Sequence, residues 1–545
     1  MLRNLLLTLS VLMVISGCAR EDGAPARPAC PQGQLCLHRG NGAEPVSLDP
    51  HRSSGTWENR IISDMIQGMF DYSAAGETIP GMAESWTTSA DGLTWTFRLR
   101  DAQWSDGQSV TAEDFVYAFQ RILKPEIASQ YSYLLYLIQN GREVNEGTAP
   151  PESLGARALD ARTLELRLIN PAPYLPELMT HYTFYPVPSH KVRELGDAWV
   201  QPGNYVGNGA YTLAEWRLGD HVRLVKNPRF WDAENVCFDQ VYFYPTNDAT
   251  AAERRVFRGE LDMNADIQSN RIQYLLADPE TRPFVHTHTY LGTAYLAFNQ
   301  GPQVRTPALR DRRVRQALAM AVDRDFIANR LLRGGQVPAF SFVPPGMSNY
   351  VENGPKAFYA DWSLERRQRE ARRLLAEAGY GPDNPLRLEI KHRNTPDPSL
   401  MMPAVQADWA EIGVQVQLVR NEVQIAYQSY RLRDFDVADA AWVADFDDPK
   451  SFLDLQLSTT GQQNYGDYAN PAYDALLLAA DREPNEGRRA QLLAQAEQIM
   501  LDDAPIVPLY FYVNKNLVSP RMTGFVDNLV DQHRTRWMCL RNRGQ

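Results

Sequence analysis

The sequence predicts an α/β protein that consists of two unlike α/β lobes and an extra antiparallel subdomain. The chain has 545 residues, of which 44% are apolar and 22% charged, so it is long enough for two to four domains. Short strands with alternating apolar residues recur in its first half and are separated by turn signals. From about Thr306 onwards, helical patterns alternate with short strands, which indicates strands connected by crossover helices.

The N-terminus has the pattern of an export signal. The apolar run 5–15 follows Arg3 and is too short to span a bilayer, but it has the length of the apolar region of a signal peptide. It ends in Ile-Ser-Gly-Cys at Cys18, which resembles a bacterial lipobox, where the cysteine is acylated and becomes the first mature residue. We therefore expect a lipoprotein signal peptide over 1–17 and a flexible tether over 18–36. No other segment approaches twenty consecutive apolar residues, so we expect membrane attachment by the lipid anchor only.

Four further cysteines are expected in an oxidising compartment, where an even number favours disulfides. A bond between Cys30 and Cys36 would close a small loop near the tether. A bond between Cys237 and Cys539 would tie the final strand to an earlier one, although three pairings are possible. No CxxC spacing exists and no histidine stands at ligand spacing beside these cysteines, so we expect no metal site.

Local patterns predict the individual elements. Apolar and polar residues alternate over 94–100 and predict a strand with one buried face. Thr111 and Asp114 have the spacing of a helix capping box, and Pro125 ends the helix that follows. Further strands are expected at 163–168, 222–225, 386–390 and 414–419, and further helices at 314–330, 364–378 (closed by Gly379) and 399–412.

The best candidate for a functional residue is Asp445. It follows the apolar strand expected at 435–441, and clefts of α/β proteins form at the C-terminal ends of strands. Taken alone, it can also be a turn or helix-capping aspartate. A calcium loop formed by Asp445, Asp447 and Asp448 is disfavoured because the run lacks the required glycine and terminal glutamate and is interrupted by Pro449.

Several classes of function are disfavoured. The net charge of −11 and the absence of a long basic run argue against a binder of nucleic acids or anionic membranes. The motifs HExxH, GxSxG, GxxxxGK[ST] and GxGxxG are absent, so we expect no catalytic residues and no cofactor. His286 and His288 lie two apart on a probable strand without a third ligand nearby, which is typical of surface or core histidines.

Four ordered blocks of the sequence resemble one protein family. They comprise residues 80–123, 205–231 (with NGAY and NPRFW), 310–327 and 440–452 (AAWVADFDDPKSF). Together they resemble the extracytoplasmic oligopeptide- and dipeptide-binding proteins that feed ABC transporters, solute-binding protein family 5. The resemblance runs from about Leu37 to about Trp537.

This resemblance implies a periplasmic-binding-protein-like fold in which two lobes enclose the ligand. Lobe I is discontinuous in that family, and the corresponding residues here are 37–70, 197–296 and 513–545. The extra α+β subdomain corresponds to 71–196 and lobe II to 297–512. Closure of such lobes buries the ligand and changes the surface that a membrane partner contacts.

The resemblance also implies roles for individual residues. The acid matching Asp445 anchors the α-ammonium of a bound peptide, and Trp442, followed by Val443, lines the pocket. Glu58 and Tyr133 fall where family members have pocket residues. Asp439 and Val423 depart from the family pattern, so the residue that captures the peptide's carboxylate is open, with four candidates: Arg330, Arg333, Arg431 and Arg433.

The function that this resemblance implies is capture of short peptides between the lobes and their delivery to an ABC permease and its ATPase. We expect a monomeric, periplasmic, lipid-anchored protein that is not an enzyme. The same fold can instead bind another solute, such as nickel, haem, small cations or an oligosaccharide. A secreted hydrolase is the alternative from a different class.

Overall fold

The computed structural model describes residues 27–541. The expected signal peptide, Cys18 and the first part of the expected tether lie outside these residues. Between residues 27 and 541, no helix has both the length and the apolar character needed to cross a bilayer.

The described residues form nineteen strands: β1 (Cys36–Gly40), β2 (Phe70–Tyr72), β3 (Thr78–Pro80), β4 (Ala83–Thr88), β5 (Thr94–Leu99), β6 (Ala156–Asp160), β7 (Thr163–Arg167), β8 (Tyr211–Arg217), β9 (His221–Lys226), β10 (Gln240–Tyr244), β11 (Met263–Asn264), β12 (Val285–Phe298), β13 (Val337–Pro338), β14 (Arg387–Arg393), β15 (Gln415–Asn421), β16 (Val437–Val443), β17 (Ile506–Val518), β18 (Met522–Thr523) and β19 (Cys539–Leu540).

The same range contains fourteen α-helices: α1 (Thr56–Met65), α2 (Ala112–Ile122), α3 (Gly141–Asn145), α4 (Leu175–Leu178), α5 (Ser189–Leu195), α6 (Ala249–Phe257), α7 (Ser269–Ala277), α8 (Arg312–Ala321), α9 (Leu364–Glu377), α10 (Pro396–Glu411), α11 (Val423–Arg431), α12 (Lys450–Leu453), α13 (Pro471–Arg482) and α14 (Glu486–Asp503).

One sheet of eleven strands runs through the molecule in the order β15-β14-β16-β12-β17-β11-β1-β10-β9-β8, with β13 beside β17. The long antiparallel strands β12 and β17 join its two halves. Residues from Gly292 to Phe298 of β12 also pair with β16, whereas β17 reaches the other half through β11. A register shift between Thr289 and Thr293 interrupts the β12–β17 ladder between these regions. The two-lobed α/β architecture is therefore built on two shared strands.

The extra subdomain contains an antiparallel sheet in the order β4-β5-β7-β6. Helix α2 packs on it and begins with the predicted capping box, in which Thr111 and Asp114 bond to each other's backbone. Asp114 also accepts a hydrogen bond from Trp104 Nε1 at 3.2 Å. This carboxylate therefore fixes the turn before the helix as well as the first turn of the helix itself.

The buried apolar residues form separate cores. The largest core combines residues of α1, β1, β9 and β10 with those of the four-stranded sheet and α2. Two other cores lie around β12, β14, β16 and β17, one with α8–α10 and one with α11–α14. A fourth core lies between β1, β10, α6 and α7. The limits of the lobes and of the subdomain remain predictions.

Most predicted elements are confirmed within a few residues, including α9 with Gly379 at a φ of +89° behind it. The helix predicted over 314–330 is wrong, because the structure has α8 and then a separate π-helical segment, Phe326–Leu332. Arg324 explains the break. Its guanidinium is buried between the segments and donates to the carbonyl oxygens of Ala319 and Pro508, at 3.0 and 2.8 Å.

Two disulfides are present in the structure. Cys30 is bonded to Cys36, with 5.8 Å between their Cα atoms. Cys237 is bonded to Cys539 across 302 residues of sequence, with 5.5 Å between their Cα atoms. The second bond ties β19 to the loop that precedes β10.

Candidate functional site

The loop after β16 is held by the start of helix α12. Strand β16 ends at Val443, two residues beyond the end of the strand predicted over 435–441. The Ser451 hydroxyl oxygen accepts hydrogen bonds from the backbone N–H of Asp445 at 2.9 Å and from Trp442 Nε1 at 3.4 Å. The backbone N–H of Ala444 donates to the carbonyl oxygen of Leu291 at 2.8 Å. These bonds fix the direction of the Asp445 side chain.

The three carboxylates of this loop have different partners. Asp447 accepts two hydrogen bonds from Ser348, at 2.7 and 2.9 Å. Asp448 is fully buried and accepts both arms of the Arg489 guanidinium, at 2.7 and 2.8 Å. The carboxylates therefore do not converge on one point, and within residues 27–541 no cluster of His, Cys, Asp and Glu is arranged to hold a metal ion.

Asp445 lines the cavities of this region and, unlike Asp448, has no cation paired with it among the described residues. Its Oδ2 accepts a hydrogen bond from the Tyr133 hydroxyl at 2.8 Å. Among the described residues, no Lys, Arg or His nitrogen lies within 4.0 Å of its oxygens, and no cation influences its titration. Burial raises the pKa of Asp445 to about 6, although the bond from Tyr133 lowers it. The site thus holds a carboxylate that a ligand cation would stabilise.

Two cavities meet at Asp445 and Phe446. The small one has a volume of about 140 Å³ and is lined by Tyr131 and Tyr182 of the subdomain and by the strand residue Val443. The large one has a volume of about 640 Å³ and has Tyr133 and Trp442 in its wall. Both lie between the subdomain and the second half of the main sheet, so the ligand space is bounded from two sides.

The structure brings four of the five expected ligand-binding residues to these cavities. Asp445, Trp442, Val443 and Tyr133 line one or both of them. Glu58 lines neither, although its neighbour Asn59 on α1 does. The Glu58 side chain points into the protein, where its Oε1 accepts from the backbone N–H of Val46 at 2.9 Å. It thereby supports the wall of the small cavity from behind.

Sequence reasoning missed Phe446. This residue belongs to the loop after β16, yet its side chain is 8% exposed and packs into the core of the first part of the chain. Its ring stacks on that of Tyr174 in the subdomain, with 5.5 Å between centroids and 14° between planes. The only signal in the sequence was an aromatic residue within an acidic loop.

The departure at Asp439 also has a structural explanation. Asp439 is fully buried and is bound by both arms of the Arg393 guanidinium, at 2.8 and 3.0 Å. Of the four arginines considered for the ligand's carboxylate, Arg431 lines the large cavity. Arg433 pairs with Asp467 at 2.8 Å instead. Arg330 and Arg333 line neither cavity.

The shared strands, the two-sided cleft and the unpaired carboxylate in its wall define a two-lobed ligand-binding protein. The family model described as "Bacterial extracellular solute-binding proteins, family 5 Middle" matches residues 77–464. The chain belongs to this family.

Named relatives cover nearly the whole chain. The periplasmic oligopeptide-binding protein OppA of Escherichia coli (strain K12) is 38% identical over 494 residues, which is 90% of this chain and 89% of that protein. The solved structure of the Escherichia coli murein tripeptide binding protein MppA has a TM-score of 0.81 at 35% identity, covering 93% of this chain and 99% of that one. Haemophilus influenzae OppA in complex with RPPGFSPFR has a TM-score of 0.79 at 32% identity, with coverages of 93% and 99%.

Proposed function

We propose that this chain captures short peptides in the cleft between its lobes and delivers them to the permease and ATPase of an ABC transporter. The relatives described above are named for oligopeptide or murein tripeptide binding, and one was solved with a nine-residue peptide. The chain acts by binding and release, without catalysis and without a cofactor.

The observation that carries this proposal is the unpaired carboxylate of Asp445. Every unmodified peptide has an α-ammonium group, whatever its side chains, so a receptor for many sequences must hold this shared group. A carboxylate with one hydroxyl donor and no cationic partner between residues 27 and 541 is suited to that role. The buried charge is costly until a ligand cation pairs with it.

Contacts across the cleft support a role in transport. The hydrogen bond from Tyr133 to Asp445 and the stacking of Phe446 on Tyr174 both join the subdomain to the loop after β16. These contacts have to break if the two sides move apart to admit a ligand, so opening and closure change both the site and the outer shape of the protein. A membrane partner can therefore distinguish the occupied receptor from the empty one.

We further propose that the protein works as a monomer on the periplasmic side of the membrane, where the lipid on Cys18 is its only attachment. The lipobox-like sequence and the periplasmic names of the relatives support this location. A Cys18→Ser variant should move from the membrane fraction to the soluble fraction of lysed cells, and retention in the membrane fraction contradicts lipid anchoring.

Calorimetry with two matched ligands tests peptide capture. Protein freed of bound ligand by unfolding and refolding should bind Ala-Ala-Ala, whereas N-acetyl-Ala-Ala-Ala, which lacks the ammonium, should bind at least 100-fold more weakly. Nickel, haem and a maltooligosaccharide serve as ligands of the alternative classes. The proposal fails if one of these binds and the tripeptide does not, and chromatography of the recovered tripeptide shows whether it was cleaved.

A further inference from the structure

The small cavity is too small to contain a peptide by itself. Binding sites for small molecules in proteins usually have volumes of roughly 300–1,000 Å³. The small cavity has about 140 Å³, whereas the large cavity has about 640 Å³. The large cavity therefore has to take part in binding.

The position of Asp445 determines which part of a peptide reaches the large cavity. Asp445 lies in the wall of both cavities. In a peptide, the α-ammonium and the first side chain are attached to the same carbon atom. An ammonium paired with Asp445 thus places the first side chain at the boundary between the cavities, with the larger space on one side.

The lining of the large cavity is mainly apolar around this boundary. Phe446 follows Asp445 directly in the chain and Trp442 precedes it by three positions, and Tyr136, Tyr174 and Leu178 contribute from the subdomain. Aromatic walls of this kind stabilise flat apolar side chains through burial and through ring contacts.

The charges in the large cavity disfavour a cationic side chain. Lys450 is 4% exposed and lies between Asp454 and Asp481, with Nζ–oxygen distances of 2.9 and 2.8 Å, so these three residues together carry a formal charge of −1. Arg142, whose guanidinium lies 4.8 Å from the ring centre of Tyr136, and Arg431 add positive charge to the walls. With Asp445 paired to the ligand's ammonium, the other charged residues of the wall, three basic and two acidic, sum to +1, so a lysine or arginine side chain would enter a positively charged space.

We propose that the large cavity receives the side chain of the first residue of the peptide and selects peptides that begin with an aromatic or large aliphatic residue over those that begin with a small or basic one. This inference rests on the proposed peptide capture, and it names the class of peptide that the site prefers.

The experiment compares the affinities of X-Ala-Ala tripeptides, with X as Ala, Leu, Phe, Trp or Lys, by calorimetry. Phe-Ala-Ala and Trp-Ala-Ala should bind at least tenfold more tightly than Ala-Ala-Ala and Lys-Ala-Ala, as burial of an aromatic side chain implies. Trp442→Leu should remove most of the difference in affinity between the aromatic tripeptides and Ala-Ala-Ala.

A surface variant tests the same cavity without altering a buried residue. Ile169 lies in its wall and is 55% exposed, so Ile169→Asp should leave folding intact. It should weaken Phe-Ala-Ala at least threefold and strengthen Lys-Ala-Ala. Leu159, which is 54% exposed in the same subdomain and lines neither cavity, provides the matched control Leu159→Asp, which should change nothing.

Affinities that agree within threefold for all five tripeptides overturn this inference but leave peptide capture intact. A preference that survives in both Trp442→Leu and Ile169→Asp also overturns it, because the selective pocket then lies elsewhere. If none of the tripeptides binds, peptide capture itself is wrong, and the inference is overturned with it.

Discussion

Replacement of Asp445 by asparagine isolates the charge of the proposed anchor. Asparagine has nearly the same size, and its side-chain oxygen can still accept the hydrogen bond from Tyr133. Burial raises the pKa of Asp445 from 3.8 to about 6 in the absence of a ligand. This difference corresponds to about 3 kcal/mol of unfavourable free energy for the charged form. A ligand ammonium that pairs with the carboxylate recovers this energy, so we expect Asp445→Asn to weaken tripeptide binding by about 100-fold.

The dependence of binding on pH provides a second, independent readout. Below pH 6 the carboxylate of the free protein takes up a proton, which has to leave before an ammonium can pair with it. The affinity of the unaltered protein for Ala-Ala-Ala should therefore fall by about tenfold between pH 7.5 and pH 5. The affinity of Asp445→Asn should not change over this range, because the amide does not titrate.

Calorimetry at both pH values, with Asp447→Asn as the control, decides the matter. Asp447 lies two residues away in the same loop, but its carboxylate is hydrogen-bonded to Ser348 and does not line the cavities. An Asp445→Asn variant that keeps wild-type affinity within threefold refutes the anchor. So does a variant that shows the same pH dependence as the unaltered protein.

Four further predictions concern the same region. The raised pKa of Asp445 stabilises the ligand-free protein fully below pH 3.8, and this stabilisation is lost as the pH rises through about 6. Urea unfolding should therefore show that the free energy of unfolding falls by up to about 3 kcal/mol over this range. This fall should be absent in Asp445→Asn. Tyr133→Phe removes the hydrogen-bond donor that lowers the pKa of Asp445, so the midpoint of the pH dependence of peptide binding should move above 6. An unchanged midpoint contradicts a role of the Tyr133 hydroxyl in setting this pKa. Arg489→Met leaves Asp448 buried without its guanidinium partner and should lower the free energy of unfolding in urea by about 3–5 kcal/mol. The exposed neighbour variant Arg488→Met should leave this free energy nearly unchanged, and equal losses in the two variants contradict a stabilising buried pair. Phe446→Ala removes the stacking on Tyr174, so small-angle scattering of the ligand-free protein should show a larger radius of gyration, and an unchanged radius argues against a closing role.

The elements that the sequence predicts well depend on residues close together in the chain. The capping box of α2 requires only Thr111 and Asp114, three positions apart, and Gly379 ends α9 by its own backbone conformation. The helix predicted over 314–330 failed for the opposite reason. Its periodicity continues through the break, but Arg324 turns inward to reach the carbonyl oxygen of Pro508, a partner 184 positions away.

The candidate site shows the same division. Asp445 was found because it follows a strand, which is a local property, and the resemblance to a family indicated its role. Its donor Tyr133 lies 312 positions away, and the two residues meet only when the subdomain and the second lobe pack together. The partner of Asp439 was not foreseen either, because Arg393 is brought to it by the pairing of β14 with β16.

The sequence by itself determined the α/β class, most strands and helices, and the place of the anchor carboxylate at a strand end. Each of these follows from side-chain periodicity or capping within a few residues. The tertiary structure decided that β12 and β17 serve both lobes, that Glu58 points away from the ligand space, and that Phe446 is buried against the opposite side. These features depend on which distant surfaces pack together to exclude water, and residue spacing along the chain carries little information about that choice.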